Sequence, residues 1–285
     1  MENDEKTSDR ALAYLDQQFL GSPDARVIRI ISEYLEPSAR LRRHGIHDTI
    51  VFFGSARSVS PEQAASEMER VSSTDPTDPN PEIRSARIRA EYRLRLSRYY
   101  HDAVELARRI TEWSKSLPGD RHFIVCSGGG GGMMEAANRG ASTANGKTLG
   151  LNIHLPHEQS VNRFVTHGLS FNFHYFFMRK FWFVYLAKAL VAFPGGFGTV
   201  DELFEVLTLI QTKMPRKKMP VVLFGTEFWD EIINFQAMVN WGVVSPEDLN
   251  IFFKTDSVDD AFEYLKTTLG ELYLLPTGLE DLKLT

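Results

Sequence analysis

The stretch Ala189–Leu207, ALVAFPGGFGTVDELFEVL, decides how the rest of the chain is read. A run of β-formers enters Pro-Gly-Gly-Phe-Gly-Thr, and a helical pattern follows at once. A buried strand turning directly into a helix is the repeating unit of a parallel sheet, because parallel neighbours need a crossover and helices make it. Working outward, the same order recurs. TIVFFG (49–54), HFIVCS (122–127), TLGLNIHL (148–155) and PVVLFG (220–225) read as strands apolar on both faces. Between or after them, GMMEAANRGASTA, TVDELFEVLTLIQTKM, FWDEIINFQAMVNWG and SVDDAFEYLKTTLG carry helical spacing. The expected fold is α/β, a doubly wound, mostly parallel, Rossmann-like sheet covered on both faces.

Two segments fall outside this alternation. Residues 1–47 read as a helical extension, in which Val27, Ile30, Ile31, Tyr34 and Leu35 share one helix face. Residues 48–285 form the main domain, with a helical insertion over about 58–115 after the first strand. Its middle, SSTDPTDPNPE, reads as a Pro/Asp-rich loop. A long amphipathic helix follows, with Ile88, Tyr92, Leu96, Tyr99, Ala103, Leu106, Ile110 and Trp113 stepping by threes and fours. The arginines on it (Arg84, Arg87, Arg89, Arg93, Arg95, Arg98) read as a solvated face balanced in part by Glu82, Glu91 and Asp102.

Composition bounds the function. Of the 285 residues 43% are hydrophobic and 24% charged, the balance of a folded globular chain. Acidic residues outnumber basic ones by 37 to 32, for a net charge of −5, which speaks against phosphate-backbone binding to nucleic acid as the main task. The single cysteine, Cys126, forms no intrachain disulfide and fits a reducing compartment. The N-terminus MENDEKTSDR has no apolar leader, and FHYFFMRKFWFVYLAKA is too short and too charged to span a bilayer. A cytoplasmic protein is expected, with no membrane partner.

Several motifs fail on inspection. GASTANGKT has five residues between its glycines where a phosphate loop has four, and it follows a helix. SGGGGGMMEAANRG sits where a dinucleotide fingerprint would, but Met133 stands where Gly128 and Gly130 would require a third glycine. His154 and His157 flank Pro156 and share no helix face, so no metal site is read. Cys126, at the end of an apolar strand, reads as a small core residue. The dense aromatics between Phe171 and Tyr185 read as core plus subunit interface, and a homodimer or larger homo-oligomer is expected.

What survives is a set of glycine-rich strand ends: Gly54 and Ser55, Gly128–Gly132 (with Gly128, Gly129 and Gly130 at its start), and Gly195, Gly196, Gly198. Glycine lets the backbone approach a ligand and turn its N–H groups inward, and a helix start adds partial positive charge. Three such turns on one sheet edge point to an anion, most simply a phosphate. Thr199-x-x-Glu202 has the spacing of a capping box, in which Glu202 would reach back to the N-cap amide. On its own that structural reading of Glu202 prevails. A catalytic reading competes once a cation is near, and FFMRKFW supplies Arg179 and Lys180.

At these residues the chain resembles the LOG ("Lonely guy") family of cytokinin riboside 5′-monophosphate phosphoribohydrolases, bacterial members of which carry a lysine decarboxylase label. PGGFGTVDE matches its P-G-G-x-G-T-x-x-E pattern, FMRK its upstream element, and SGGGGGMMEAANRGA, FFGSAR and LPHEQSVN match as well. The match runs from about Asp48 to Gly225, interrupted by the insertion. The resemblance implies hydrolysis of the N-glycosidic bond of a nucleoside 5′-monophosphate, AMP-like or of cytokinin type, to free base and ribose 5-phosphate, without cofactor. It implies Arg179 and Glu202 as catalytic residues. Gly54, Ser55, Gly128, Gly129, Gly130, Glu158, Met178, Lys180, Gly195, Gly196, Phe197, Gly198, Thr199 and Thr208 would contact substrate. The alternative is a non-catalytic nucleotide or cofactor carrier or sensor on the same fold, in which Glu202 only caps its helix.

Overall fold

The computed structural model describes residues 12–75, 79–119, 121–155, 160–213 and 218–274. Seven strands form one sheet: β1 (Asp48–Phe53), β2 (Phe123–Ser127), β3 (Thr148–Ile153), β4 (Ser170–Phe173), β5 (Ala187–Ala192), β6 (Val221–Phe224) and β7 (Phe252–Thr255). Their order is β4-β3-β2-β1-β5-β6-β7, and every neighbouring pair is parallel. The chain winds outward from β1 to β4, returns to β5 on the other side of β1, and winds outward again. The reversal flanks β1, and in open α/β sheets ligands bind where the strand order reverses, beyond the strands' carboxyl ends.

Among the described residues, nine helices of six residues or more accompany the sheet: α1 (Arg26–Arg43), α2 (Pro61–Ser72), α3 (Pro81–Ser116), α4 (Met133–Thr143), α5 (Phe176–Leu186), α6 (Phe197–Gln211), α7 (Thr226–Ile232), α8 (Phe235–Asn240) and α9 (Val258–Leu269), besides shorter helical turns. Strand residues alternate between faces, so β1 feeds two cores. Val51 and Phe53 pack with Met178, Trp182 and Phe183 of α5 and Leu203 and Val206 of α6. Ile50 and Phe52 pack with Tyr99, Ala103 and Leu106 of α3, Ala136 and Ala137 of α4 and Leu265 of α9. Cys126 is buried in the first core, and burial pushes its thiol up, away from reactivity.

Two strands escaped the sequence reading. SFNF and FFKT are four-residue edge strands that expose Asn172 and Lys254. Neither is the continuous apolar run of a central strand. FWDEIINFQAMVNWG, read as one helix, is two, because the chain extends at Ile233 and Asn234 caps α8 by accepting from Ala237 N–H. The insertion contributes α2 as well as α3, with Ser60 accepting from Gln63 N–H and Pro61 at its first turn.

At 36 residues α3 is about 54 Å long, against about 20 Å for β1. Its C-terminal half is buried on the sheet, while Ile88 and Tyr92 near its N-terminus are exposed. Three arginines of the N-terminal half pair with carboxylates of neighbouring elements: Arg93 with Glu67 of α2, Arg95 and Arg98 with Glu227 of α7. This is a solvated, charge-balanced face, though its carboxylates are not the ones read from the sequence. Helix α1 lies against α5, where Trp182 Nε1–H donates to the Glu33 carbonyl and Tyr34 meets Phe181 and Trp182. Of the apolar stripe read from the sequence, Ile30 packs against the first core, while Val27, Ile31, Tyr34 and Leu35 remain exposed. No described helix is long and apolar enough to cross a membrane.

Candidate active site

The turns after β2, β1 and β5 lie side by side on the carboxyl edge, as their strand order requires. Ser55 holds the three together. Its N–H donates to the Pro194 carbonyl in the β5 turn (3.0 Å), and its carbonyl accepts from Met133 N–H at the start of α4 (3.0 Å). The close fit explains two glycines. A Cβ on Gly54 would stand 2.5 Å from the Met133 side chain, and one on Gly132, at φ +67°, would stand 2.4 Å from the Ser55 carbonyl oxygen.

In the β5 turn Thr199 N–H is bonded to the Gly196 carbonyl, while the amides of Gly195, Gly196, Phe197 and Gly198 have no acceptor among the described residues. A Cβ on Gly196 or Gly198 would meet nothing within 4 Å, and Phe197 is 97% exposed. These are orphan donors at the N-terminus of a fifteen-residue helix, a ready anion site. In the β2 turn Gly129 N–H is taken by Ser127 Oγ, and the amides of Gly130 and Gly131 are left without a described acceptor.

The capping box does not form. Helix α6 begins at Phe197 with Gly196 as its cap, and no side chain caps it. Thr199 is therefore the third helical residue and packs against Gly195, and Glu202 lies in the second turn. The glycines on either side of Phe197 let the helix start earlier than Thr199 would dictate. Glu202 is 6% exposed and takes part in none of the described hydrogen bonds or ion pairs. Burial pushes its carboxyl up to about 7; Lys180 and Arg179 pull it down, while Glu205 and Asp201 push it further up. A buried carboxyl with no donor is costly for the fold and typical of a site kept for chemistry.

Arg179, on α5, faces this carboxyl without pairing with it. Its Nε donates to the Leu151 carbonyl of β3 (2.8 Å), and its guanidinium stacks over Phe183. A Cβ on Gly128 would stand 2.7 Å from an Arg179 terminal nitrogen, so that glycine makes room for the guanidinium. Burial lowers the Arg179 pKa and Glu202 raises it, with burial prevailing. Its terminal nitrogens have no acceptor among the described residues and are available to a ligand.

Of the remaining sequence candidates, Lys180 bridges Asp201 (2.8 Å) and Glu205 (3.0 Å) of α6. Burial works against its charge, but those two carboxylates hold its pKa above the ordinary value. Met178 is buried in the core beneath the site. Thr208 is exposed, two turns beyond Glu202, and donates to the Phe204 carbonyl of its own helix. Glu158 lies outside the described residues. Sequence reasoning missed the polar set beneath the β2 turn: Ser127, Asn138, Thr148 and Asn162, all buried. A cavity of ≈ 270 Å³ lies elsewhere, between α2 and α3, and none of the site residues lines it.

A family model described as "Possible lysine decarboxylase" matches residues 134–265. A relative from Oryza sativa subsp. japonica, named "Probable cytokinin riboside 5′-monophosphate phosphoribohydrolase LOGL5", is 29% identical over 191 residues, 66% of this chain and 71% of the relative. Among solved structures, the structural-genomics target TM1055 aligns with a TM-score of 0.45 at 19% identity, over 77% of this chain and 99% of its own. The Moco carrier protein from Chlamydomonas reinhardtii aligns at 0.47 and 17%, over 79% and 99%. Neither structural likeness is close enough to carry chemistry across.

Proposed function

From the resemblance to the LOG family, which the motifs, the family model and the rice relative share, we propose that this chain hydrolyses the N-glycosidic bond of nucleoside 5′-monophosphates. The observation that carries the proposal is Glu202: a buried, unbonded carboxyl raised to about 7, facing an arginine with free donors beside two sets of free amides. The bond between C1′ and the base nitrogen breaks, the electron pair leaves with the base, and positive charge develops on the ribose ring. A fixed carboxylate in a water-poor setting stabilises that charge as it forms. Water then adds to C1′ and its proton ends on the base nitrogen that took the electron pair, so that monophosphate and water become free base and ribose 5-phosphate. The free amides of Gly130, Gly131, Gly196, Phe197 and Gly198 hold the 5′-phosphate, and binding energy from that remote group positions the sugar. Arg179 orients the substrate and assists departure of the base.

The decarboxylase description does not fit. A lysine that holds pyridoxal phosphate as a Schiff base works with a depressed pKa. Lys180, the lysine of the described site, is committed to two carboxylates that raise it. The exposed aromatics of α5, Phe177, Phe181 and Tyr185, and the neighbouring stripe of α1 form an interface between copies of the chain. The deciding experiment is release of free base and ribose 5-phosphate from a panel of nucleoside monophosphates. Tight binding of a monophosphate without release would replace the hydrolase by a carrier.

A further inference from the structure

We propose that Asn162 is a positioning residue that aims the Gly130 and Gly131 amides at the substrate's 5′-phosphate. The inference rests on the phosphate site proposed above and names what holds that site in shape. Asn162 is 8% exposed and lies 33 residues from Gly129 in the chain. Its side-chain amide donates to the Gly129 carbonyl (3.1 Å), the Gly130 carbonyl (2.9 Å) and Asn138 Oδ1 (2.9 Å), and its own N–H donates to the Gly129 carbonyl (2.8 Å).

In a trans peptide the carbonyl and the following N–H point in opposite directions. Drawing the carbonyls of Gly129 and Gly130 toward Asn162 therefore turns the amides of Gly130 and Gly131 the other way. Those two have no described acceptor, and a Cβ on Gly131 would meet nothing within 4 Å. Glycine leaves these peptides free to rotate, so the outward aim of the amides is not set by the turn alone.

The assignment of the Asn162 amide is fixed by its neighbours. Asn138 Oδ1 accepts from both Ser127 Oγ (2.7 Å) and Asn162, while Asn138 Nδ2 donates to Thr148 Oγ1 and to the Leu149 carbonyl. Asn162 Oδ1 accepts from Phe164 N–H (3.1 Å), which leaves its Nδ2 for the two glycine carbonyls. The same residue ties its own part of the β3–β4 connection to the phosphate turn.

The test compares wild type, Asn162→Ala and Asn162→Ser for calorimetric affinity toward adenosine 5′-monophosphate, adenosine and inorganic phosphate, and for kcat and KM of base release. The expected result for Asn162→Ala is a loss of about tenfold in affinity for the monophosphate and for inorganic phosphate, the scale of one charge-assisted hydrogen bond. Adenosine affinity should stay within about twofold, kcat/KM of base release should fall together with monophosphate affinity, and serine, with one donor, should fall between. Equal weakening of monophosphate and adenosine, or no weakening of either, overturns the proposal. If the alanine variant fails to fold, the serine variant is judged by the same ratio. A wild type that binds the monophosphate and releases no base ends the hydrolase reading but leaves this ratio decisive. A wild type that binds no phosphate compound overturns both.

Discussion

Replacing Glu202 by glutamine should abolish base release and, at alkaline pH, make the protein more stable. The carboxyl is 6% exposed and its pKa lies near about 7, against an ordinary 4.5. Between those values the folded chain holds a proton at this site that the unfolded chain has lost. Stability therefore falls as pH climbs from the unfolded pKa through the folded one. At about 1.36 kcal/mol per pH unit the interval is worth about 3 kcal/mol. Glutamine has the same size and never ionises. Relative to wild type, the variant should gain that amount between pH 4.5 and pH 8, or several degrees in Tm for a chain of this length.

Denaturation of both proteins at pH 5, 6.5 and 8 gives the stability gap, and assays of free base give activity. The gap should open in the variant's favour as pH rises, while kcat falls by about a hundredfold or more. A gap that does not change with pH, or a variant weakened most at pH 8, would refute the reasoning. Either would mean that the charged carboxylate makes a stabilising bond, as a cap does, and is not held in reserve for the substrate.

Three further outcomes follow from the same geometry. Lys180→Met removes a charge that pulls the Glu202 carboxyl down, so the acidic limb of kcat/KM should move to higher pH. The change should cost about threefold at pH 7, and the substrate phosphate's own titration, common to both proteins, does not move the comparison. Gly132→Ala forces a Cβ against the Ser55 carbonyl at φ +67°; thermal melts should show a loss of about 2 kcal/mol or more, and monophosphate affinity should fall because Ser55 joins two phosphate turns. Phe177→Ser with Phe181→Ser should shift sedimentation from an oligomer to a monomer while far-UV circular dichroism is retained, since both rings are exposed within one chain.

The five apolar strands were legible because central strands of a parallel sheet are buried on both faces and so cannot alternate. The edge strands β4 and β7 were illegible for the same reason reversed. Each is four residues long and exposes a polar residue, a pattern shared with ordinary loops. The glycine turns could be placed on one edge from strand order alone, but which amides are free could not. That depends on the conformation each turn adopts, in which the Thr199 and Gly129 amides are taken by their near neighbours Gly196 and Ser127, and on a residue in another loop that turns the Gly130 and Gly131 amides outward. A lone asparagine in LPHEQSVN carries no signal of the carbonyls it binds.

Glu202 shows where sequence pattern and structure part for a physical reason. Thr-x-x-Glu at a helix start is the spacing of a capping box, and a box would account for the residue completely. Whether the box forms depends on where the helix begins, and glycine at 195, 196 and 198 removes the steric preference that would fix that point. The helix takes Gly196 as its cap, a residue with no side chain to offer, and its first amides stay unsatisfied. A cap drawn from Thr199 would have consumed amide donors and committed the Glu202 carboxylate to the backbone. The glycine cap leaves both free on one side of the sheet, a partial positive end for an anion and a raised carboxyl for a forming cation. In the proposed reaction the substrate carries both, at its 5′-phosphate and at its C1′, so the stability forgone at this helix end is what makes the site complementary to it.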